Sequence, residues 1–184
     1  MTSVLKVDNI QNSSGGFVIP PAGGIIQIQY DQLTTGTSQS VTTQTWNKLT
    51  NFPSVTITPT STTSKLKIDV MWNGEFSGQS DAFNSLFALY KDNTLIVGNT
   101  DTGYTMTGMW CPSMSYTGTD NDSTPETMTG TYYDEPNTTS AITYYLAFWP
   151  TNSSTIYINR VVNSNTGDGY ERMISNMTVT EIAG

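Results

Sequence analysis

Carboxylates are the only abundant side chains in this sequence that could carry out chemistry. The 184 residues include 15 Asp and Glu, one cysteine and no histidine. Without histidine the chain lacks the usual general base near neutral pH and the usual activator of a serine or cysteine nucleophile. A carboxylate pair of the glycosidase type is the remaining option, and its candidates are Asp120, Asp122, Glu126, Asp134, Glu135 and Asp168. Because each lies in turn-like sequence, we predict solvated loop charges and no enzymatic activity.

The same acidic region also resembles the beginning of a calcium loop. Asp120, Asp122 and Glu126 offer hard oxygen ligands, but Pro125 and Thr131 stand where such a loop has its sixth-position Gly and twelfth-position Glu. A zinc site built from Cys and His is impossible with one cysteine and no histidine. We therefore predict no metal and no cofactor.

Aromatic residues beside polar loops suggest a different use, since a flat apolar ring next to amides and hydroxyls suits a sugar. We expect residues 117–131 to form an exposed polar loop of the kind that carries binding residues. Cys111 has no nearby cation to activate its thiol, so we predict that it is a small buried side chain. The ligand-binding candidates are Tyr104, Trp110, Tyr116, Asp120, Asp122 and Tyr132.

The charge and hydropathy of the chain exclude several classes of protein. The net charge is −8, and the seven Lys and Arg are scattered singly, which argues against nucleic-acid binding. No apolar run reaches the ~20 residues of a membrane span, and the first residues lack the pattern of a signal peptide. We expect no membrane insertion and synthesis in the cytoplasm.

From Ile25 onward the hydrophobic period is two, which is typical of strands. In "IIQIQY" the pattern places Ile26, Ile28 and Tyr30 on one half-buried face. The stretch "SVTITPTSTTSKLKIDVMW" (54–72) predicts a pair of strands, the second of which has Leu66, Ile68, Val70 and Trp72 on the face opposite Lys65, Lys67 and Asp69. The stretch "NSLFALYKDNTLIVG" (84–98) predicts a hairpin that turns at residues 91–93. Many short strands separated by turn residues favour an all-β antiparallel sandwich of the jelly-roll kind.

One predicted strand, "AITYYLAFW" (141–149), has no polar face. Such a strand is either covered on both sides within the sandwich or meets another subunit. The candidates for a subunit interface are Tyr145, Trp149 and Tyr157.

Residues 1–24 differ from the rest of the chain. A short half-apolar run is followed by "NSSGG" and by two prolines between glycine pairs, which indicates a linker or an extended arm. We therefore predict an arm at 1–24 and a β-sandwich head at 25–184. The arm residues expected to make contacts are Val4, Leu5, Val7, Ile10, Pro20 and Pro21.

Several segments in order resemble one kind of protein: "MTSVLKVDNIQNSSGG", "GGIIQIQY", "TITPTSTTSKLKIDVMWNGE", "ALYKDNTLIVG", "YINRV" and "SNMTVTEIAG". They resemble the structural fibre and appendage proteins of marine bacteriophages, cyanophages included. The resemblance implies a homotrimer with a jelly-roll-like head, located in the virion and held to capsid, portal or tail proteins by its N-terminal arm. It also implies loops displayed toward a host surface, where we expect a glycan as the ligand.

Two alternatives remain open at this point. One is a capsid decoration protein that has no receptor, and the other is a free carbohydrate-binding or glycan-cleaving domain.

Overall fold

The computed structural model describes residues 20, 22–78, 84–113, 123–166 and 170–184, in which there are eleven strands and no helix. The strands are β1 (Ile25–Leu33), β2 (Thr37–Ser40), β3 (Asn47–Lys48), β4 (Val55–Ile57), β5 (Lys65–Phe76), β6 (Leu86–Lys91), β7 (Thr94–Ile96), β8 (Glu126–Asp134), β9 (Ile142–Trp149), β10 (Thr155–Ile158) and β11 (Ser175–Ile182).

These strands form two antiparallel sheets. In the first sheet β1 pairs with β11 and β11 with residues 65–71 of β5, while β8 lies on the other edge of β5. β10 pairs with residues 74–76 of β5 on the same edge as β11, and β2 pairs with β10. The second sheet runs β3, β9, β6 and β7, with β4 also beside β9. The orders β1–β11–β5–β8 and β4–β9–β6–β7 are those of a jelly roll. The predicted all-β antiparallel sandwich is confirmed.

Alternating residues of β5 and β9 supply the core between the sheets. Leu66, Ile68, Val70 and Trp72 are all buried, opposite Lys65, Lys67 and Asp69 as predicted. On β9 the buried face carries Ile142, Tyr144, Leu146 and Phe148. Four aromatic rings stack across the centre with centroids 5.0–5.2 Å apart, each contact worth about 0.5–1.5 kcal/mol beyond its buried area; these rings are Trp72, Phe76, Phe87 and Phe148.

The two runs of residues 54–72 do not pair with each other, so the predicted strand pair is wrong. β4 pairs with β9 in the second sheet, whereas β5 pairs with β11 and β8 in the first. The segment "PTSTTS" crosses between the sheets, and it is fixed there by side-chain bonds to β11. Thr60 and Ser64 both donate to the carboxylate of Glu181, at 2.7–2.8 Å and 2.6 Å.

Strand β1 also departs from its prediction. A bulge after Ile25 leaves Ile25 opposite Ile182 and Gln27 opposite Glu181, so Ile26 does not share the face of Ile28. The face that holds Ile28 and Tyr30 is exposed rather than half-buried. The reason lies on the other face, where glutamines and Asp31 are turned toward the second sheet: Gln27 Nε2 donates to Thr58 O (2.8 Å) and to Glu181 (2.6 Å), and Asp31 accepts the N–H of Ser54 (3.3 Å).

The predicted hairpin within residues 84–98 is confirmed as β6 and β7. Asp92 adopts a positive φ of 53° at its turn, a conformation that Asp and Asn tolerate better than most residues. Lys48 Nζ donates to Asn93 Oδ1 (2.8 Å), and the ammonium lies over the rings of Tyr90 (5.1 Å) and Tyr145 (4.5 Å).

This lysine bears on the predicted subunit interface. Tyr145 and Trp149 are half-buried and Ala147 between them is fully buried, so the chain itself partly covers the second face of β9. Tyr157 is half-buried as well, with the guanidinium of Arg160 4.6 Å from its ring centre. A role of these rings between subunits stays a prediction.

Strand β5 runs the full length of the sandwich, roughly 35 Å at 3.3 Å per residue, and so defines its two ends. At one end Lys65 lies opposite Ile182, and Gly23 and Gly24 bond to the backbone of Ala183 beside the C-terminus. At the other end Phe76 lies opposite Ile156. The described chain therefore enters and leaves at the same end, which we call the terminal end.

The opposite end, which we call the loop end, holds the three longest connections, β5–β6, β7–β8 and β10–β11. The fully buried carboxylate of Glu75 accepts the N–H groups of Thr124 (3.0 Å) and Val162, so two connections are held against the tip of β5. Gly78 and Ser113, which border segments 79–83 and 114–122, also bond to residues at this end.

The strands begin at Ile25, where the head was predicted to start, but the arm itself stays a prediction. Val4, Leu5, Val7, Ile10 and Pro21 lie outside the described residues. Pro20 is described and half-buried, and it lines a cavity of about 180 Å³ together with Ile26, Ser64 and Gly184.

Candidate functional site

A cleft opens on the flank of the sandwich where the edge strands β7 and β8 face each other. On the opposite flank, Gln27 and Asp31 of β1 bond to Thr58 and Ser54, the residues on either side of β4. On the flank of the cleft, the space between β7 and β8 is occupied by the chain between β7 and Ser113. The cleft has a volume of about 360 Å³. Its lining residues are Gly98, Asn99, Gly108, Met109, Trp110, Thr131 and Tyr132.

Trp110 is fixed at the back of this cleft by both its backbone and its ring. Its backbone pairs with Phe87 of β6, on the same edge of β6 as β7. Phe87 N–H donates to Trp110 O (2.7 Å), and Trp110 N–H donates to Phe87 O (3.1 Å). Its indole rests directly on Gly130 of β8. A Cβ at Gly130 would lie only 2.2 Å from indole Cε2, so only glycine allows the ring this position.

Tyr132 stands two residues further along β8, opposite Ile68. Burial raises the pKa of its phenol above the ordinary value, and the nearby Asp134 carboxylate adds to the effect. The phenol therefore stays protonated and acts as a hydrogen-bond donor over the whole physiological range.

The charge of Asp134 is compensated inside the protein rather than presented to the cleft. Its carboxylate accepts the hydroxyl of Tyr144 (2.5 Å) and pairs with Lys91 Nζ (2.8 Å). Burial, and then this hydrogen bond, raise the pKa of Tyr144 far above its ordinary value. The Asp134 carboxylate therefore links β8 to Lys91 and Tyr144 of the second sheet.

The rim of the cleft is a tight turn after β7. Gly98 has a φ of +73°, and a Cβ there would lie 2.8 Å from Met109 Cγ. Asn99 Oδ1 accepts the N–H of Asp101 (2.8 Å), which leaves Nδ2 as the donor end of an exposed side chain. Thr131 supplies a hydroxyl on the other side and donates it to Asp69 Oδ1 (2.6 Å).

None of the seven lining residues carries a charge. Two aromatic rings, one amide and one hydroxyl around a small open cleft are the groups that bind an uncharged sugar ring. The arrangement holds no nucleophile and no acid–base pair among these residues.

The predicted binding residues divide into three sets. Trp110 and Tyr132 come together in the cleft. Tyr104 is exposed on the segment between β7 and Trp110 and does not line the cleft. The remaining three, Tyr116, Asp120 and Asp122, lie outside the described residues.

The predicted carboxylate candidates are corrected in part. Glu126 and Asp134 are buried in strand β8 and are not solvated loop charges, and β8 begins inside the predicted loop 117–131. They are eight residues apart on one strand, roughly 26 Å, far beyond the spacing of a glycosidase pair. Glu135 is exposed and pairs with Lys65 (3.2 Å), and Asp168 lies outside the described residues.

Cys111 is also corrected, because it is exposed and not buried. It directly follows Trp110, where the short pairing with β6 ends. Within the described ranges no three potential metal ligands cluster, and no helix there is long and apolar enough to cross a membrane.

Sequence reasoning missed Asn99, Met109 and Gly130. Gly130 did carry a signal, since a glycine inside a strand often marks a close approach of another group. Asn99 and Met109 reach the cleft only through the path of the chain between β7 and Ser113, and no periodic pattern encodes that path.

Comparison with known proteins adds no relative, since the chain matches no protein-family model and no curated protein.

Gly130→Ala should displace the Trp110 indole and close or distort the cleft. We expect a blue- or red-shifted tryptophan emission and a loss of about 1–3 kcal/mol in the free energy of unfolding, as overpacking typically produces. Gly103→Ala is the control for the emission, because no atom lies within 4 Å of a Cβ there; its φ of +86° strains an alanine, so this variant should lose stability and keep its emission unchanged. Unchanged emission in Gly130→Ala would contradict the placement of Trp110.

Proposed function

We propose that this chain is a non-enzymatic structural protein of a bacteriophage virion, a homotrimeric head- or tail-fibre or appendage subunit. In this proposal residues 1–24 hold it to capsid, portal or tail proteins, and the head displays a glycan-binding surface toward the host. The observation that carries the proposal is the polarity of the sandwich: the described chain enters and leaves at the terminal end, and its three longest connections, β5–β6, β7–β8 and β10–β11, are held at the loop end, roughly 35 Å away.

That polarity suits a displayed subunit, because an anchor at one end leaves the other end and the flanks free to contact a host. The resemblance of the sequence to phage fibre and appendage proteins supports the same conclusion. The protein would be made in the cytoplasm of the host bacterium and function on the particle.

The cleft supplies the glycan-binding part of the proposal. With Trp110 and Tyr132 as stacking surfaces and Asn99 as a hydrogen-bond donor, it suits a neutral hexose better than an acidic sugar, since no cation lines it. A single such site binds weakly, and three copies on one rigid subunit assembly gain affinity through effective concentration.

A free carbohydrate-binding module is the second candidate, and the same cleft favours it. The virion-subunit proposal and the free-module proposal differ in whether the protein is bound to phage particles. A decoration protein without a receptor differs from both, since its removal would leave adsorption to cells unchanged.

Deleting residues 1–19, which precede the described chain, should abolish association with particles and leave the head folded. The reason is that β1 and its pairing with β11 begin only at Gly23 and Ile25. The measurements are co-sedimentation with phage particles and thermal unfolding of the truncated chain. A truncated chain that still co-sediments would contradict the role of the arm, and one that unfolds would move the domain boundary.

A further inference from the structure

Exposed apolar side chains are concentrated on one surface of this protein. Of the seven large apolar residues that are exposed among those described, Tyr104 and Met106 lie near the cleft. The other five lie on or beside the outer face of the first sheet; they are Ile25, Ile28, Tyr30, Tyr133 and Ile174.

The strand register defines this surface. Ile28 of β1, Thr180 of β11, Lys67 of β5 and Tyr133 of β8 form one row across the sheet. The next row on the same face is Tyr30, Thr178, Asp69 and Thr131. We call these two rows, with Ile25 beside Ile182, the outer face; Ile174 immediately precedes β11 at its edge.

The outer face is electrically neutral although the chain is strongly acidic. Lys67 pairs with Asp69 (2.7 Å), and at the terminal end Lys65 pairs with Glu135 (3.2 Å). With a net charge of −8, two copies of the chain repel each other over most orientations. Contact through the neutral outer face avoids the like-charge repulsion that contact through an acidic surface would meet, so this face is the better suited to a second copy.

β1 forms one edge of this face. It is a nine-residue strand that pairs only with β11 within the described chain. The charge of Asp31 and the bulge after Ile25 both protect an edge against pairing with a further strand, so we expect a partner to contact the face and not to extend the sheet. The bulge at the start of β1 turns Ile25 onto the same face as Ile28, which adds apolar area where burial by a partner is most favourable.

We propose that a second copy of this chain covers the outer face and buries both of its apolar edges, Ile28 and Tyr30 on β1 and Tyr133 on β8. The inference rests on the proposed function for the claim that the protein works as an oligomer, and it names the surface through which the copies meet. That surface differs from the predicted one around Tyr145 and Trp149. A different protein that recognised this surface through its charge would require unpaired charges on it, whereas the lysines of this surface are paired with Asp69 and Glu135.

The test is sedimentation equilibrium of the full-length chain against two single variants, Tyr30→Asp and Tyr133→Asp, which change opposite edges of the outer face. We expect the wild type to associate and each variant to raise the dissociation constant by about thirtyfold or more, as loss of an aromatic ring that a partner buries can do. The control is Tyr104→Asp, since Tyr104 is 72% exposed against 76% for Tyr30 and the charge change is the same. The control should associate like the wild type, and all chains should unfold at similar temperatures.

A wild type that stays monomeric at all concentrations would overturn the inference. An oligomer unaffected by both variants would also overturn it and place the contact elsewhere, while the fibre proposal would stand. The fibre proposal is tested separately by particle association, so the two can fail independently.

Discussion

Trp110→Ala should bind neutral glycans about thirtyfold or more weakly than the wild type. The indole forms the back wall of the cleft, and its removal deletes the largest flat surface available to a sugar ring. Truncation of a central Trp in an interface typically costs 2 kcal/mol or more, which corresponds to roughly that factor. The measurement is binding to a panel of immobilised neutral oligosaccharides from bacterial surfaces.

The matched control for this prediction is Tyr104→Ala. Tyr104 belongs to the same segment of chain and is exposed, but it does not line the cleft. Its replacement should leave glycan binding within about twofold of the wild type, in the range of a peripheral contact. If Trp110→Ala and Tyr104→Ala bind equally well, the cleft is not the binding site.

Glu181→Ala should lower the free energy of unfolding by about 3 kcal/mol or more, the range for removing the charged acceptor of several buried hydrogen bonds. The carboxylate is fully buried and accepts four of them, from Gln27 Nε2, Thr60 N, Thr60 Oγ1 and Ser64 Oγ, at 2.6–2.8 Å. It thus ties β1, the crossing segment and β11 together. Chemical denaturation gives the measurement, and Glu135→Ala, which removes a surface ion pair, should change stability by no more than about 1 kcal/mol.

The same residue makes stability depend on pH. Burial alone would raise the pKa of Glu181, but the hydrogen bonds from Ser64, Gln27 and Thr60 outweigh it and hold the pKa below its ordinary value of 4.5. A group whose pKa is lower in the folded state stabilises the fold above its unfolded pKa and loses that contribution in acid. The free energy of unfolding should therefore fall as the pH drops below about 4.5. In the Glu181→Gln variant the free energy of unfolding should fall less steeply over the same pH range. Equal slopes would contradict this assignment.

The sequence predicted the strands better than their partners. The alternation in β5 and β9 determines which side chains are buried, because the period of two is local and both strands have a strongly apolar face. Pairing is not local: β4 and β5 are separated by seven residues yet lie in different sheets. Nothing in the alternation says that Thr60 and Ser64 will bind a carboxylate more than a hundred residues away.

β1 shows a second limit of the pattern. Its isoleucines and tyrosine alternate as in a half-buried strand, but Ile28 and Tyr30 face away from the second sheet, because the other face carries Gln27 and Asp31, which bond to Thr58, Glu181 and Ser54. Hydrophobic alternation identifies two faces, and tertiary contacts decide which of them is turned toward the second sheet.

The candidate site was predictable in part for a related reason. Trp110 and Tyr132 were identified by residue type, since aromatic rings near polar loops suit a sugar. Their meeting in one cleft depends on Gly130, which lets the indole lie against β8, and on the backbone pairing of Trp110 with Phe87.

Immunogold electron microscopy of phage particles, with an antibody raised against the folded head, tests the central proposal most directly. We expect gold label on the outside of particles, at fibres or appendages, and loss of that label when the particles carry a chain lacking residues 1–19. Protein found only in the soluble fraction, with particles unlabelled, would contradict the account.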